Sequence, residues 1–256
     1  VDYITKPISV PIVERRVATH LSLVKADQLD ALARSAIQML GEAGHYNDTD
    51  TGQHIWRMAA YSRALALAAG WSDEDAELLE LAAPMHDTGK IGIPDDILKA
   101  PRKLDTREWT TMMSHAQIGH DILTMSDNPV FTLAAEVALG HHEKWDGGGY
   151  PGPITDLEDD AKAAPTQGKR GEEIPLSARI TAVAHVVDAL VSPRIYKAAW
   201  SWERAAALIQ EGSGSHLDPE VVQAFFQIQD ACKAIHTKYR EATPYTVPSV
   251  EERIDS

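Results

Sequence analysis

The sequence predicts an all-α fold, a multi-helix bundle broken by one glycine-rich loop and one polar insertion. Three observations predict it. From Ala26 onward apolar residues recur at i, i+3, i+4 and i+7, the spacing that gathers them on one side of a helix. Over the same span no run alternates apolar and polar residues as a half-buried strand does, and no segment repeats. Residues that favour helix starts, Ser72, Asp105, Pro129 and Asp218, stand at the heads of the apolar runs.

The elements follow in order. Val1-Asp2-Tyr3-Ile4-Thr5 is a short β-prone run closed by Lys6-Pro7, and Val10 to Leu23 carries Ile12, Val13, Val17 and Leu21 at helical spacing. Helical patterns continue over 27–43 and 51–70. Ser72, followed by Asp73, Glu74 and Asp75, caps a helix with an acidic first turn that runs toward His86. Asp105 with Glu108 has the spacing of a capping box, ahead of a helix through Leu123. Pro129 fits the first turn of a helix ending near His142, residues 176–191 form another, and Asp218-Pro219-Glu220 opens a last one through about Ile235. Residues 146–175 are the exception. Gly147-Gly148-Gly149 reads as loop, because a glycine run costs too much backbone entropy inside an element. Ile154–Gly171, with Asp156, Glu158, Asp159 and Asp160, reads as a solvated insertion.

Composition narrows the function. With 256 residues, 44% of them hydrophobic, the chain can bury a substantial core. Its single cysteine, Cys232, excludes an internal disulfide framework and fits a reducing compartment. No apolar run approaches the ~18 residues of a membrane span and no secretory leader is recognisable, so a cytoplasmic location off the membrane is expected. A net charge of −14 disfavours DNA or RNA polymers as partners.

The histidines carry the chemistry. His54, His86, His115, His141, His142 and His185 fall at helix ends or on apolar helix sides, with carboxylates beside them. One such histidine would be an ordinary core residue, but six with acidic neighbours point to metal. Asp50 and His54, at i and i+4, share a helix face, His86-Asp87 is an adjacent pair, and His141-His142 is a second one just before the glycine loop. Mixed imidazole and carboxylate donors suit Fe, Mn, Ni or Zn and disfavour Mg and Ca. Two such ions ~3.5–4 Å apart can clamp a phosphate for in-line displacement, so spacing alone suggests a binuclear hydrolase.

Two strings, His86-Asp87-Thr88-Gly89-Lys90 and His141-His142-Glu143-Lys144-Trp145-Asp146-Gly147-Gly148-Gly149-Tyr150-Pro151, resemble the signatures of the HD-GYP family. Further matches are Thr51-Gly52-Gln53-His54, Ile91-Gly92-Ile93-Pro94-Asp95, His115 with Ile118-Gly119, Gly171-Glu172-Glu173-Ile174-Pro175, Ala178-Arg179-Ile180, and Asp188-Ala189-Leu190 with Arg194 to Lys197. The resemblance spans roughly residues 45–230. It implies an all-helical HD-type bundle that hydrolyses cyclic di-GMP to pGpG or GMP on a centre of Fe or Mn, with Ni or Zn admissible. By position it implies His54, His86, Asp87, His115, His141 and His142 as metal ligands, with Asp87 bridging and Asp50 at a glutamate ligand's place. Lys90 matches a lysine near the scissile phosphate, making Asp87 and Lys90 the catalytic pair. Lys90, Tyr150, Arg194 and Lys197 match residues that grip the phosphates and guanine. The first twenty residues resemble the last βα unit of a receiver domain, without that domain's phosphorylation site.

This chain departs from the family at four places. His185 stands where an aspartate ligand is usual, which removes one negative charge from the donor set and implies altered metal preference or weaker holding of one ion. Asp188, one turn on, is a candidate to compensate. Asp50 is one methylene shorter than the glutamate of trinuclear members, implying two ions rather than three. Ile195 replaces a proline, and the 152–171 insertion adjoins Tyr150. The expected organisation is a receiver remnant at 1–24, a linker helix at 25–44, a catalytic domain at 45–240 and a tail at 241–256. The expected role is the output domain of a two-component response regulator. A homodimer and a histidine kinase or diguanylate cyclase are the candidate protein partners. The alternatives are a degenerate module that binds a cyclic dinucleotide or a protein without turnover, and a hydrolase of another cyclic dinucleotide.

Overall fold

The computed structural model describes residues 10–45, 52–151, 168–193 and 198–241. Among these are eleven α-helices and no strand, the one β-bridge joining Ser213 to Leu217 in a turn. No helix among the described residues is long and apolar enough to cross a membrane. Helix α1 (Val10–His45) runs past residue 24 without a break. The strand and Lys-Pro turn expected before it lie outside the described residues. The chain divides into two units, one through Met39 and one from Leu40 onward, and the second holds every other element.

In that second unit α2 (Gly52–Ala68) is the central rod, packed by α3 (Asp73–Ala82), α8 (Leu176–Val191), α10 (Pro219–Gln227) and α11 (Gln229–Glu241). Met58, Tyr61 and Leu65 of α2 meet Leu79, Ile180, Val183, Val187, Val221, Phe225 and Cys232 in one buried cluster. Each large apolar side chain buried there contributes about 1.5–3 kcal/mol. Helix α7 (Pro129–Gly140) joins this cluster through Val137, and α9 (Trp202–Glu211) through Ile209.

The helix starts follow the capping rules. Ser72, Asn128 and Asp218 each accept a backbone N–H of the first turn, and Asp105 with Glu108 forms both bonds of the capping box. Ser201 caps α9 in the same way, a start the sequence reading did not single out. Two expected helices are in fact interrupted. The run toward Leu123 divides at Ser114 into α5 (Thr106–Met113) and α6 (His115–Leu123). There the Ser114 hydroxyl donates to Thr111 O at 2.7 Å, the backward bond by which serine bends a helix. The last helix divides at Ile228 between α10 and α11. The short α4 (Asp95–Leu98) completes the set.

Two 3₁₀ turns flank the His86-Asp87 pair, Ala83–Met85 before it and Thr88–Gly92 after it. The second turn presses on α6. A Cβ on Gly89 would lie 1.9 Å from His115 O and 2.4 Å from Gly119 N, both immobile backbone atoms. Gly89→Ala is therefore expected to cost at least about 3 kcal/mol by overpacking. In the same urea titration Leu65→Ala, at a fully buried core position, should cost about 2–5 kcal/mol. A Gly89→Ala midpoint equal to wild type would show that the turn can retreat from α6.

Candidate metal centre

Seven side chains converge where helix ends meet. His54 lies in the first turn of α2, His86 and Asp87 lie between the two 3₁₀ turns, and His115 is the first residue of α6. His141 caps the C-terminus of α7, His142 follows it, and His185 projects from the middle of α8. Their donor atoms fall into two groups, Asp87 with His115, His141 and His142, and His54 with His86 and His185, each within 4.8 Å of one another.

Hydrogen bonds fix the tautomers. His86 Nδ1 lies 3.0 Å from Ala83 O, His115 Nδ1 2.7 Å from Met112 O, and His141 Nδ1 3.0 Å from Ala138 O. A carbonyl only accepts, so Nδ1 carries the hydrogen in each ring and Nε2 keeps its lone pair. In His54 the same part is played by Asp188, whose Oδ2 is 2.5 Å from Nδ1. These outer bonds are the kind that orient metal-ligating imidazoles.

Asp87 stands between the groups. Its Oδ2 is 3.0 Å from His86 Nε2 and 2.9 Å from Lys90 Nζ, and its Oδ1 is 3.4 Å from His115 Nε2 and 3.7 Å from His141 Nε2. Burial would raise its pKa, but the neighbouring Lys90 ammonium, followed by His86, outweighs that and holds the carboxyl well below the usual range. The imidazoles shift the other way. Burial brings His115 down to about 4, and burial together with the neighbouring histidines holds His142 and His185 well below their usual value. Burial thus keeps His115, His142 and His185 uncharged around the one carboxylate. The buried Nε2 atoms of His115 and His141 have no hydrogen-bond partner. Lone pairs converging without protons between them suit a divalent cation, and mixed nitrogen and oxygen donors fit that assignment.

One wall is aromatic. The Tyr150 ring stacks on His142 at 4.6 Å, and burial, followed by Asp87, pushes its hydroxyl pKa up. Trp109, partly exposed and absent from the sequence reading, lies edge-on to Tyr150. The glycine loop is packed against its own backbone. A Cβ on Gly149 would meet Lys144 N at 2.3 Å and both Glu143 Cα and His142 O at 2.5 Å. The loop needs glycine there to fold back on its own backbone, with Tyr150 N donating to His142 O at 3.2 Å. Gly168 closes this crossing, bonding Gly147 O at 3.0 Å, and a Cβ on it would lie 2.5 Å from buried Glu143 Oε2.

The structure therefore brings together His54, His86, Asp87, His115, His141, His142 and His185, with Lys90 and Tyr150 beside them. Asp50, Arg194 and Lys197, and most of the 152–171 insertion, lie outside the described residues. Asp188, weighed from the sequence as a compensating ligand, turns its oxygens to His54 and to Arg57 instead. Arg57 was missed altogether. Its signal was there, an arginine three residues after His54 on an otherwise apolar helix face.

An HD domain family model matches residues 51–190, and a second model of the same description matches residues 160–221. The chain belongs to the HD domain family. Its His86-Asp87 pair and its Gly149-Tyr150-Pro151 loop place it in the HD-GYP branch. Among the relatives of this HD domain is a probable cyclic di-GMP phosphodiesterase of Vibrio cholerae, 35% identical over 97% of this chain and 60% of that protein. A 3'3'-cGAMP-specific phosphodiesterase 2 of the same organism is 36% identical over 79% of this chain and 36% of the relative. The chain thus spans about half the length of the curated relatives it matches. The crystal structure of a cyclic GMP-AMP specific phosphodiesterase of V. cholerae shares the fold, with a TM-score of 0.53 at 17% identity over 81% of this chain and 54% of that one.

Metal-free protein should lose stability as pH falls. The unfolded chain protonates His115 near its ordinary 6.5, whereas the folded cluster refuses the proton until about 4. The folded state is therefore undisturbed above neutrality and penalised progressively below it, by about 2 kcal/mol at pH 5 from this residue alone. Thermal melts of chelator-treated protein at pH 7.5 and 5 check this, and a flat profile would contradict the cluster's burial.

Proposed function

We propose that this HD domain is a metal-dependent phosphodiesterase that hydrolyses cyclic di-GMP to pGpG, and on to GMP. The observation that carries the reading is Asp87, buried with one oxygen toward each histidine group and Lys90 at 2.9 Å. His54, His86, Asp87, His115, His141, His142 and His185 would hold two divalent ions, Fe or Mn first and Ni or Zn as alternatives. Such ions, when bound, polarise phosphoryl oxygens and lower the pKa of water. The protein's own groups do the rest. Lys90 brings a compact positive charge to the phosphodiester oxygens, held in place by its pairing with Asp87. Tyr150, fixed against His142, gives the substrate a rigid wall and a hydroxyl whose raised pKa keeps it a donor. Arg194 and Lys197 are assigned to phosphate and guanine contacts on the family pattern, as Asp50 is to the metal. The names of the relatives support a cyclic dinucleotide as substrate. Service as a response regulator's output domain, homodimerisation, and a histidine kinase or diguanylate cyclase partner complete the proposal.

Anaerobic turnover of cyclic di-GMP by protein loaded with Fe(II) or Mn(II), with products separated by chromatography, tests this. The expected result is pGpG or GMP, falling to background in Asp87→Ala together with most of the bound metal. Full metal loading without product would leave the second reading, a module that binds the nucleotide without cleaving it. His185, a neutral donor in the His54–His86 group, is the observation that favours that reading. If His185 limits turnover, His185→Asp should raise the rate several-fold. An unchanged rate would clear His185 of that charge.

A further inference from the structure

The two donor groups are not equivalent. Asp87 belongs with His115, His141 and His142, whereas His54, His86 and His185 form a set of imidazoles alone. Its ring centroids lie 5.4–6.3 Å apart. Among the described residues a divalent ion at these three rings finds no anion beyond what Asp87 shares, and its affinity then depends on how strongly those rings donate. One ring in this set is unlike the other two. His86 Nδ1 bonds a neutral peptide carbonyl, but His54 Nδ1 bonds a carboxylate, Asp188, at 2.5 Å.

Asp188 is itself held. Arg57 Nε donates to its Oδ1 at 2.5 Å, Arg57 Nη2 to its Oδ2 at 3.0 Å, and Ser192 Oγ to its Oδ1 at 3.2 Å. Asp188 is 1% exposed and Arg57 6%, so this network is built into the α2–α8 seam and is no accident of the surface. The helices explain it. His54 and Arg57 are three residues apart on one face of α2, and Asp188 faces both from α8, three residues beyond His185. The carboxylate therefore reaches the triad through one member, His54, by hydrogen bond.

We propose that Asp188 is a positioning residue that supplies, through His54, the negative charge that the all-imidazole half of the centre lacks. Arg57 and Ser192 bind the carboxylate from its outer side, while its Oδ2 also meets His54 Nδ1. The hydrogen bond fixes the ring with Nε2 inward and gives it partial imidazolate character, which strengthens its bond to a cation. This rests on the reading of the cluster as a metal centre, and the test separates the two.

Cobalt(II) is titrated into metal-free full-length chain, followed by calorimetry and by the visible absorption of the bound ion. Wild type should take up two equivalents. Asp188→Asn, which keeps an acceptor and the shape but not the charge, should weaken one equivalent by about 10–100-fold and leave the other unchanged. Asp188→Asn combined with His185→Asp should recover the second equivalent, because a carboxylate placed directly among the donors makes the relayed one unnecessary. Arg57→Gln should keep both equivalents within about threefold. A merely structural ion pair would make it as harmful as Asp188→Asn. If Asp188→Asn alone fails to fold by circular dichroism, the Asp188→Asn, Arg57→Gln double variant removes the buried pair as a unit and should still lose one equivalent. Two equivalents bound with wild-type affinity in Asp188→Asn, or in its double with Arg57→Gln, would overturn the proposal while leaving the metal centre intact. Wild type that binds no cobalt would overturn both.

Discussion

A single buried carboxylate dictates the arrangement of this HD domain's centre. Asp87 cannot stay ionised at its depth unless positive or polarised groups surround it, because an isolated buried charge costs several kcal/mol. Lys90 meets that demand from one side, and on the others His86, His115 and His141 aim lone pairs that would share a cation with it. The fold brings those elements together by their ends rather than their sides. Helix ends leave backbone carbonyls free to accept, and the Nδ1 atoms of His86, His115 and His141 use carbonyls of the turn preceding each ring. The same local bond that orders a helix end therefore also aims each Nε2 inward.

Two departures from regular helix serve this geometry. Dividing α5 from α6 at Ser114 makes His115 the first residue of a new helix, with its carbonyl against Gly89. The close approach of the Thr88–Gly92 turn to α6 then sets the separation of Asp87 from His115. On the far side, the glycine crossing around Gly149 and Gly168 locks the chain that follows His142 and so fixes Tyr150 against its ring.

Much of this was readable in the chain itself. The helical periodicity and the start signals at Ser72, Asp105, Pro129 and Asp218 place most elements, because those signals are local. The histidines announced themselves by number and by adjacency to acids. What was illegible depended on pairs distant in sequence. Nothing local to Asp188 says that it will face His54, 134 residues away, rather than join the metal donors. Ser201 was overlooked although its cap is as ordinary as the others. The interruptions at Ser114 and Ile228 were missed for another reason, since the apolar spacing continues through both and only the backbone bonds change. Gly149 read only as loop, because a glycine's need for space does not reveal which atoms occupy it.

The scarcity of carboxylates among the donors has an electrostatic consequence. Among the described donors one carboxylate stands with six imidazoles and cannot neutralise two divalent ions, so the loaded centre would be a cationic well in a protein whose net charge is −14. Buried, low-dielectric surroundings strengthen such a field at the centre, while the acidic exterior repels polyanions at long range. A small anion that reaches the centre would be held there, and an extended one would be turned away. The same residues that choose the metal would thereby filter what approaches it by size and charge.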